Sequence, residues 1–157
     1  MRRTSLFFAV AGLFGAVSGA GAAEAPKFDL VLTLSPAALT ELTRLHEQVT
    51  VSAMYAGEPT KEAQKKKIDD EIGEVNLGSE EATRPLTAAT GKFSFVGKGF
   101  EAKKLKWVKP GTAKVLINVY SARKAADDNL LDCGLFEDTL ATAAAKPIEI
   151  SCKLIAE

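Results

Sequence analysis

The stretch AKVLINVYSAR, residues 113–123, decides the fold class of this chain. Its side chains at Val115, Ile117 and Val119 are apolar and recur at every second position. In an extended strand this spacing places them on one face, whereas the residues between them lie on the other face. The stretch therefore predicts a β-strand that buries one face in a core.

Five other stretches also predict strands. They are FDLVLTL (28–34), QVTVSAMYAG (48–57), IGEVNLG (72–78), KFSFVG (92–97) and PIEISCKLI (147–155). Turn-forming residues lie between them, among them Gly57 with Pro59 and Pro110 with Gly111. Short strands that follow one another with turns between them are typical of an antiparallel sheet.

Two short helices are predicted between these strands. In SPAALTELTRLHEQ (35–48), Ser35 can cap a helix and Pro36 suits its first turn. LFEDTLATAAA (135–145) is rich in good helix formers and predicts a second helix of roughly ten residues. Residues 60–71 are mostly charged and predict a connector without regular structure.

Together these elements predict a mainly β fold. We expect an antiparallel β-sandwich of the immunoglobulin-like or transthyretin-like kind, with two short helices and one disulfide. An α+β sheet with one face covered by helices is the alternative. No change in composition divides residues 23–157, which predicts a single domain.

The first 22 residues predict a signal peptide. Arg2 and Arg3 give a positive start, an apolar run follows, and small residues lead up to Ala22. The run is about a dozen residues long, whereas a membrane-spanning helix needs roughly 20. We therefore expect cleavage near Ala22, a periplasmic or secreted product and no membrane span.

The two cysteines, Cys133 and Cys152, both lie in the predicted mature domain. An exported protein meets oxidising conditions, so one disulfide between them is predicted. A bond that closes a loop of about 20 residues stabilises a domain by roughly 3 kcal/mol in the chain-entropy model. The spacing is not the C-x-x-C of a redox centre, so the predicted role is structural.

Charge is balanced overall but unevenly distributed. The whole chain has 20 basic and 20 acidic residues, and removal of residues 1–22 takes away two arginines and no acid. The resulting net charge of −2 predicts no general attraction to nucleic acid. Residues 61–114 nevertheless carry 12 basic against 8 acidic side chains, whereas residues 115–157 carry 4 against 7.

Few residues could carry catalysis or hold a metal. His46 is the single histidine, and no G-x-S-x-G elbow accompanies it, so no catalytic residue, metal site or cofactor is predicted. A copper site of His46 and Met54 is rejected, because Met54 is expected in the core. An acidic run does not have the spacing of a calcium loop and is expected to cap the second helix and to be solvated. Its members are Asp127, Asp128, Asp132, Glu137 and Asp138.

One basic and aromatic stretch is a candidate binding patch. Its members are Lys98, Phe100, Lys103, Lys104, Lys106, Trp107 and Lys109. Lysines beside aromatic rings can hold a lipid headgroup, an acidic glycan or an acidic protein surface. The alternative is that Phe100 and Trp107 anchor the loop in the core while the lysines are merely solvated. The lysines at 65–67 are weaker candidates, because acids at 69–71 follow them directly.

Three stretches of the chain carry a resemblance to other proteins. They are INVYSARK (117–124), NLLDCG (129–134) and KPIEISCKLI (146–155). The chain resembles a group of small exported proteins of Gram-negative bacteria that has no assigned activity, some of whose members are similar to secreted antigens with β-rich folds. The resemblance implies export and a β-rich domain, and it carries over no functional residue.

Two functions remain open from the sequence. The first is a non-catalytic periplasmic or secreted binding module that engages an unknown protein or envelope component. The second is a carrier that holds a small apolar ligand between the sheets, which requires a cavity there. An enzyme is not predicted, and the sequence leaves the oligomeric state open.

Overall fold

The computed structural model describes residues 25–157. The predicted signal peptide, residues 1–22, lies outside these residues. The described part of the chain is mainly β, as predicted, and has two four-stranded sheets. Its strands are β1 (Phe28–Leu34), β2 (Val49–Gly57), β3 (Val75–Arg84), β4 (Thr90–Phe95), β5 (Lys114–Ser121), β6 (Leu131–Cys133), β7 (Phe136–Thr139) and β8 (Ile148–Leu154).

Helices are short and lie in the connections. They are α1 (Pro36–Leu45), α2 (Lys61–Lys65), α3 (Leu140–Ala145) and a 3₁₀ helix (Ala102–Trp107). The first predicted helix is confirmed: Ser35 accepts a hydrogen bond from the N–H of Ala38 at 3.1 Å, and Pro36 begins the helix. The prediction of only two helices was wrong, because the charged connector contains a further helix, α2. Thr60 caps α2 by accepting a hydrogen bond from the N–H of Ala63 at 3.1 Å.

The second predicted helix was wrong over its first half. Residues 136–139 form β7, which pairs with β5 so that Phe136 lies opposite Ile117. Phe136 packs against the core, and the pairing satisfies the backbone groups of both strands. Phe136, Asp138 and Thr139 are also weaker helix formers than the leucine and alanines that follow them, so the strand pairing prevails here. The helix begins only at Leu140, where Thr139 accepts from the N–H of Thr142 at 3.2 Å.

The strands are ordered β4-β1-β8-β6 in the first sheet and β3-β2-β5-β7 in the second. All pairs of these named strands are antiparallel except β1 with β8, which is parallel. The prediction of a purely antiparallel sandwich is therefore corrected to one antiparallel and one mixed sheet. Because β1 and β8 are far apart in the sequence, no tight hairpin joins them and forces them to run in opposite directions.

The two sheets share one apolar core. Leu30 and Leu32 of β1 and Val51 and Ile117 of the second sheet are all 0% exposed and belong to the same cluster. The alternation predicted for residues 113–123 is confirmed, since β5 buries every second side chain. Inward-facing residues of both sheets thus provide the burial that stabilises the domain.

The predicted disulfide between Cys133 and Cys152 is present. The two cysteines face each other on the antiparallel strands β6 and β8, and the segment around Cys133 is a short strand. A disulfide is typical of an oxidising, non-cytoplasmic compartment. Within the described part of the chain, no helix is long and apolar enough to cross a bilayer.

A close backbone approach fixes the segment that leads into the 3₁₀ helix. A bulge in β3 leaves the carbonyl of Leu77 to accept the N–H of Glu101 at 2.8 Å. Beside it, a side chain on Gly99 would overlap the carbonyl oxygen of Ser79, and one on Gly78 would overlap that of Gly99. Gly78 also has a φ of +99°, which favours glycine.

We predict that Gly99→Ala lowers the free energy of unfolding by about 1–3 kcal/mol, as overpacking typically does. The added methyl group would meet backbone, which cannot move aside as a flexible side chain can. Chemical denaturation measures the effect. Gly134→Ala is the matched control, because a Cβ there meets nothing within 4 Å. Equal stability of the two variants would contradict the close approach.

Candidate functional site

The aromatic members of the candidate patch are partly buried against the core. The ring of Phe100 meets that of Tyr55 edge to face, with 5.4 Å between the centroids. Trp107 ends the 3₁₀ helix and is also packed against the core. The two aromatic residues therefore position the segment, and the lysines around them provide its charge.

Contacts between residues that are far apart in sequence hold this segment against the start of α2. Pro59 and Val108 form an isolated antiparallel bridge, and the N–H of Thr60 donates to the carbonyl of Trp107 at 2.8 Å. Val108 is 5% exposed and fits directly over Gly57, where a Cβ would collide with its side chain. The absence of a side chain at Gly57 thus allows the two segments to meet.

Trp107 contacts lysines from both segments. The ammonium groups of Lys66 and Lys106 lie 4.7 and 5.0 Å from the centroid of the Trp107 ring. A cation over an aromatic face is attracted by the ring quadrupole. Glu62 pairs with Lys66 at 2.8 Å, and its pKa lies below its usual range because of that hydrogen bond and the charges of Lys66 and Lys106.

We call residues 58–67 together with 98–109 the basic surface. It contains nine lysines and three glutamates, for a net charge of +6. The lysines are Lys61, Lys65, Lys66, Lys67, Lys98, Lys103, Lys104, Lys106 and Lys109, and the glutamates are Glu58, Glu62 and Glu101. All seven residues of the predicted patch are in it, together with the lysines at 65–67 that the sequence had ranked lower and Lys61 at the start of α2.

The glutamates of the basic surface pair with individual lysines. Lys104 binds Glu101 at 2.7 Å, and Lys109 binds Glu58 at 2.9 Å. The pKa of Glu58 lies below its usual range because Lys109 donates a hydrogen bond to it. These exposed pairs contribute little to stability. Exposed lysines such as Lys65 and Lys103 remain the groups through which the surface can meet a partner.

Asp70, one of the acids at 69–71 that follow the lysines at 65–67, also shapes the backbone. One carboxylate oxygen of Asp70 accepts the N–H groups of Ile72 and Glu74, at 3.1 and 2.9 Å, and so forms a turn. Asp70 also lines a groove on the outer face of the second sheet. The order of these acids and lysines along the chain thus does not show which charged side chains share a surface.

The two residues considered for a copper site lie exposed on different elements. His46 is exposed in a left-handed conformation at the end of α1. Met54 is 42% exposed on the outer face of β2, so its predicted place in the core was wrong. Within residues 25–157, no group of three or more histidine, cysteine, aspartate or glutamate side chains is arranged to hold a metal ion.

The acidic run does not cap a helix as predicted. Glu137 lies in β7 and pairs with Lys114, and Asp132 lies 3.7 Å from Lys153 across β6 and β8. Asp138 accepts the N–H of Thr139 at 2.6 Å, one residue before α3. The run is divided between two sheets because residues 136–139 form a strand.

Glu47 is a buried carboxylate that no sequence pattern pointed to. It is 3% exposed and accepts the N–H groups of Gln48, Lys124 and Ala125 at 2.8, 2.9 and 2.7 Å. Burial alone would raise its pKa, but these backbone donors outweigh burial and hold the pKa below its ordinary value. Glu47 thereby anchors the loop after β5 to the end of α1.

Comparison with known proteins gives no relative for this chain: no family model, no curated protein and no solved structure matches it. The resemblance to small exported Gram-negative proteins therefore stays a prediction. What the chain does has to be inferred from the chemistry of its surfaces.

We predict that Glu47→Gln lowers the free energy of unfolding by about 1–3 kcal/mol at neutral pH, because the amide group turns a donor toward backbone donors. A carboxylate with a lowered pKa stabilises the fold fully above its ordinary pKa of 4.5. That contribution is lost as the pH falls below 4.5 through the pKa of the folded state. The stability difference between wild type and variant should therefore shrink in acid.

Denaturation at a series of pH values measures this difference. Exposed Glu71→Gln is the control and should leave stability nearly unchanged throughout. A difference for Glu47→Gln that grows in acid would show that Glu47 does not act as a buried carboxylate.

Proposed function

We propose that this protein is a non-catalytic binding module of the periplasm or the cell exterior, which binds an anionic component of the envelope through the basic surface. The ligand chemistry is a set of closely spaced anionic groups, as in lipid headgroups or an acidic glycan. The disulfide supports the compartment, because oxidising conditions favour its formation. The pattern of residues 1–22 supports export.

The observation that carries this proposal is that two lysine-rich segments, residues 58–67 and 98–109, contact each other and form one surface. Contacts between Pro59 and Val108 and between Thr60 and Trp107 bring together residues that are nearly 50 positions apart. The resulting net charge of +6 belongs to a chain that is nearly neutral overall. Such a concentration of one sign of charge attracts an oppositely charged partner and is screened by salt.

The finer fold is part of the same proposal. Two four-stranded sheets around one core support an immunoglobulin-like or transthyretin-like sandwich. In such sandwiches, recognition commonly falls to the loops at the ends of the sheets. The basic surface consists of such connecting segments, since residues 58–67 and 98–109 each follow one strand and precede another.

The carrier alternative has less support from the structure. A ligand between the sheets would need space there, but large side chains such as Tyr55, Phe95 and Leu30 are at most 1% exposed within the shared core. Grooves of several hundred Å³ lie instead along the surface. We therefore prefer the binding module.

The binding module predicts salt-sensitive attachment to anionic surfaces. The purified protein should bind either vesicles that contain phosphatidylglycerol or a free acidic polysaccharide. It should release the bound probe as the salt concentration rises. Lys65→Glu and Lys103→Glu should each weaken binding at least about fivefold, because one lysine near an anionic surface contributes about 1 kcal/mol. Co-sedimentation measures the affinity, and the two probes distinguish a lipid from a glycan.

The matched control is Lys146→Glu with Lys153→Glu, which changes the net charge as much as the two test substitutions combined but lies at α3 and β8. This control should bind nearly as well as the wild type. If the control pair and the test pair lose equal affinity, binding depends only on net charge, which would contradict a localised site.

A further inference from the structure

A groove on the outer face of the second sheet combines apolar walls with acidic side chains. Its volume is about 450 Å³, within the range of small-molecule sites. Met54 of β2 and Leu116 of β5 lie opposite each other in the strand register and line the groove. Ile72, in the turn before β3, also lines it and is 80% exposed. Single exposed apolar residues are ordinary, but three that line one depression form a contact surface.

The turn that carries Ile72 is held in place. Asp70 accepts the N–H groups of Ile72 and Glu74 through one carboxylate oxygen, and its own N–H donates to the carbonyl of Glu74 at 2.8 Å. Gly73 closes the turn with a φ of +81°. Ile72 is therefore presented beside the sheet by a hydrogen-bonded turn, which lowers the entropic cost of using it in binding.

The charged residues of the groove give it a net negative charge. Asp70, Glu74 and Glu137 line it together with one cation, Lys114. Lys114 lies between the two glutamates, 2.5 Å from Glu74 and in contact with Glu137. Hydrogen bonds to Glu137 and Glu74 raise the pKa of Lys114, so it stays charged and already bound. The groove as a whole carries a charge of −2.

We propose that this groove binds a small organic cation: a primary amine with an aliphatic or arylalkyl body. The body would contact Met54, Leu116 and Ile72, while the ammonium group would donate hydrogen bonds to the carboxylates of the groove. A primary ammonium fits better than a quaternary one, since carboxylates accept its N–H bonds and the exposed walls are aliphatic. An anionic amphiphile is disfavoured by the same carboxylates.

This site is separate from the basic surface and does not depend on the proposed function. The basic surface attracts anions through residues 58–67 and 98–109, whereas the groove attracts cations through carboxylates of the turn before β3 and of β7. The two can therefore fail independently. Lys65→Glu, which tests the basic surface, should leave amine binding by the groove unchanged.

Titration of the isotopically labelled protein with n-hexylamine and 2-phenylethylamine tests the groove by NMR. Both amines should give saturable shifts at the methyl groups of Met54, Leu116 and Ile72, whereas 1-hexanol should bind at least fivefold more weakly and hexanoate should not bind. An equal response to hexylamine and hexanoate, or shifts centred elsewhere, would overturn the proposal. So would the lack of a saturable response to either amine.

Two exposed positions separate the apolar and ionic contributions. Ile72→Ser should weaken binding of both hexylamine and hexanol, whereas Glu137→Gln should weaken hexylamine at least threefold and leave hexanol nearly unchanged. Glu149→Gln, an exposed carboxylate on β8, is the matched control. Thermal unfolding of each variant confirms that it is folded. Binding of hexylamine that neither Ile72→Ser nor Glu137→Gln changes would contradict the assignment.

Discussion

The packing of β1 against the central strands of the other sheet is the constraint on which the rest of the structure depends. Leu30 and Leu32 of β1 are fully buried in one cluster with Val51 of β2 and Ile117 of β5. Truncation of a buried leucine to alanine typically costs about 2–5 kcal/mol, a large share of a small domain's stability. Because β8 pairs with β1 and carries Cys152, the disulfide to β6 also depends on this packing.

With the sheets fixed in this way, the connecting segments carry the distinctive chemistry. The segment after β2 and the segment after β4 meet at Pro59 and Val108, and their lysines form one basic surface. The turn before β3 instead places Asp70 and Ile72 at a groove of opposite charge. A nearly neutral chain thus presents two surfaces of opposite sign, each formed by residues that are distant in sequence or lie on different strands.

The sequence was informative wherever a local pattern determines structure. Alternation predicted the buried faces of β1, β2 and β5, and Ser35 with Pro36 predicted the start of α1. Export chemistry predicted the pairing of Cys133 with Cys152.

Long-range contacts explain where prediction failed. Residues 136–139 directly precede an alanine-rich helix but pair with β5, and β1 runs parallel to β8, which no local signal specifies. The lysines at 65–67 were ranked low because acids follow them in the sequence. The bridge between Pro59 and Val108, which places these lysines beside the second basic segment, cannot be predicted from either segment alone. The apolar outward positions of Met54 and Leu116 were visible in the alternation and could have pointed to the groove.

The most direct test of the central claim is a map of the binding face. Backbone amide shifts of the labelled protein should be followed during titration with bicelles that contain phosphatidylglycerol and, separately, with an acidic oligosaccharide. The account predicts that amides in residues 58–67 and 98–109 respond together, with one apparent affinity, to at least one of these anionic probes. Shifts that are confined to one of the two segments, or that are centred outside both, would contradict a single basic surface formed at their junction.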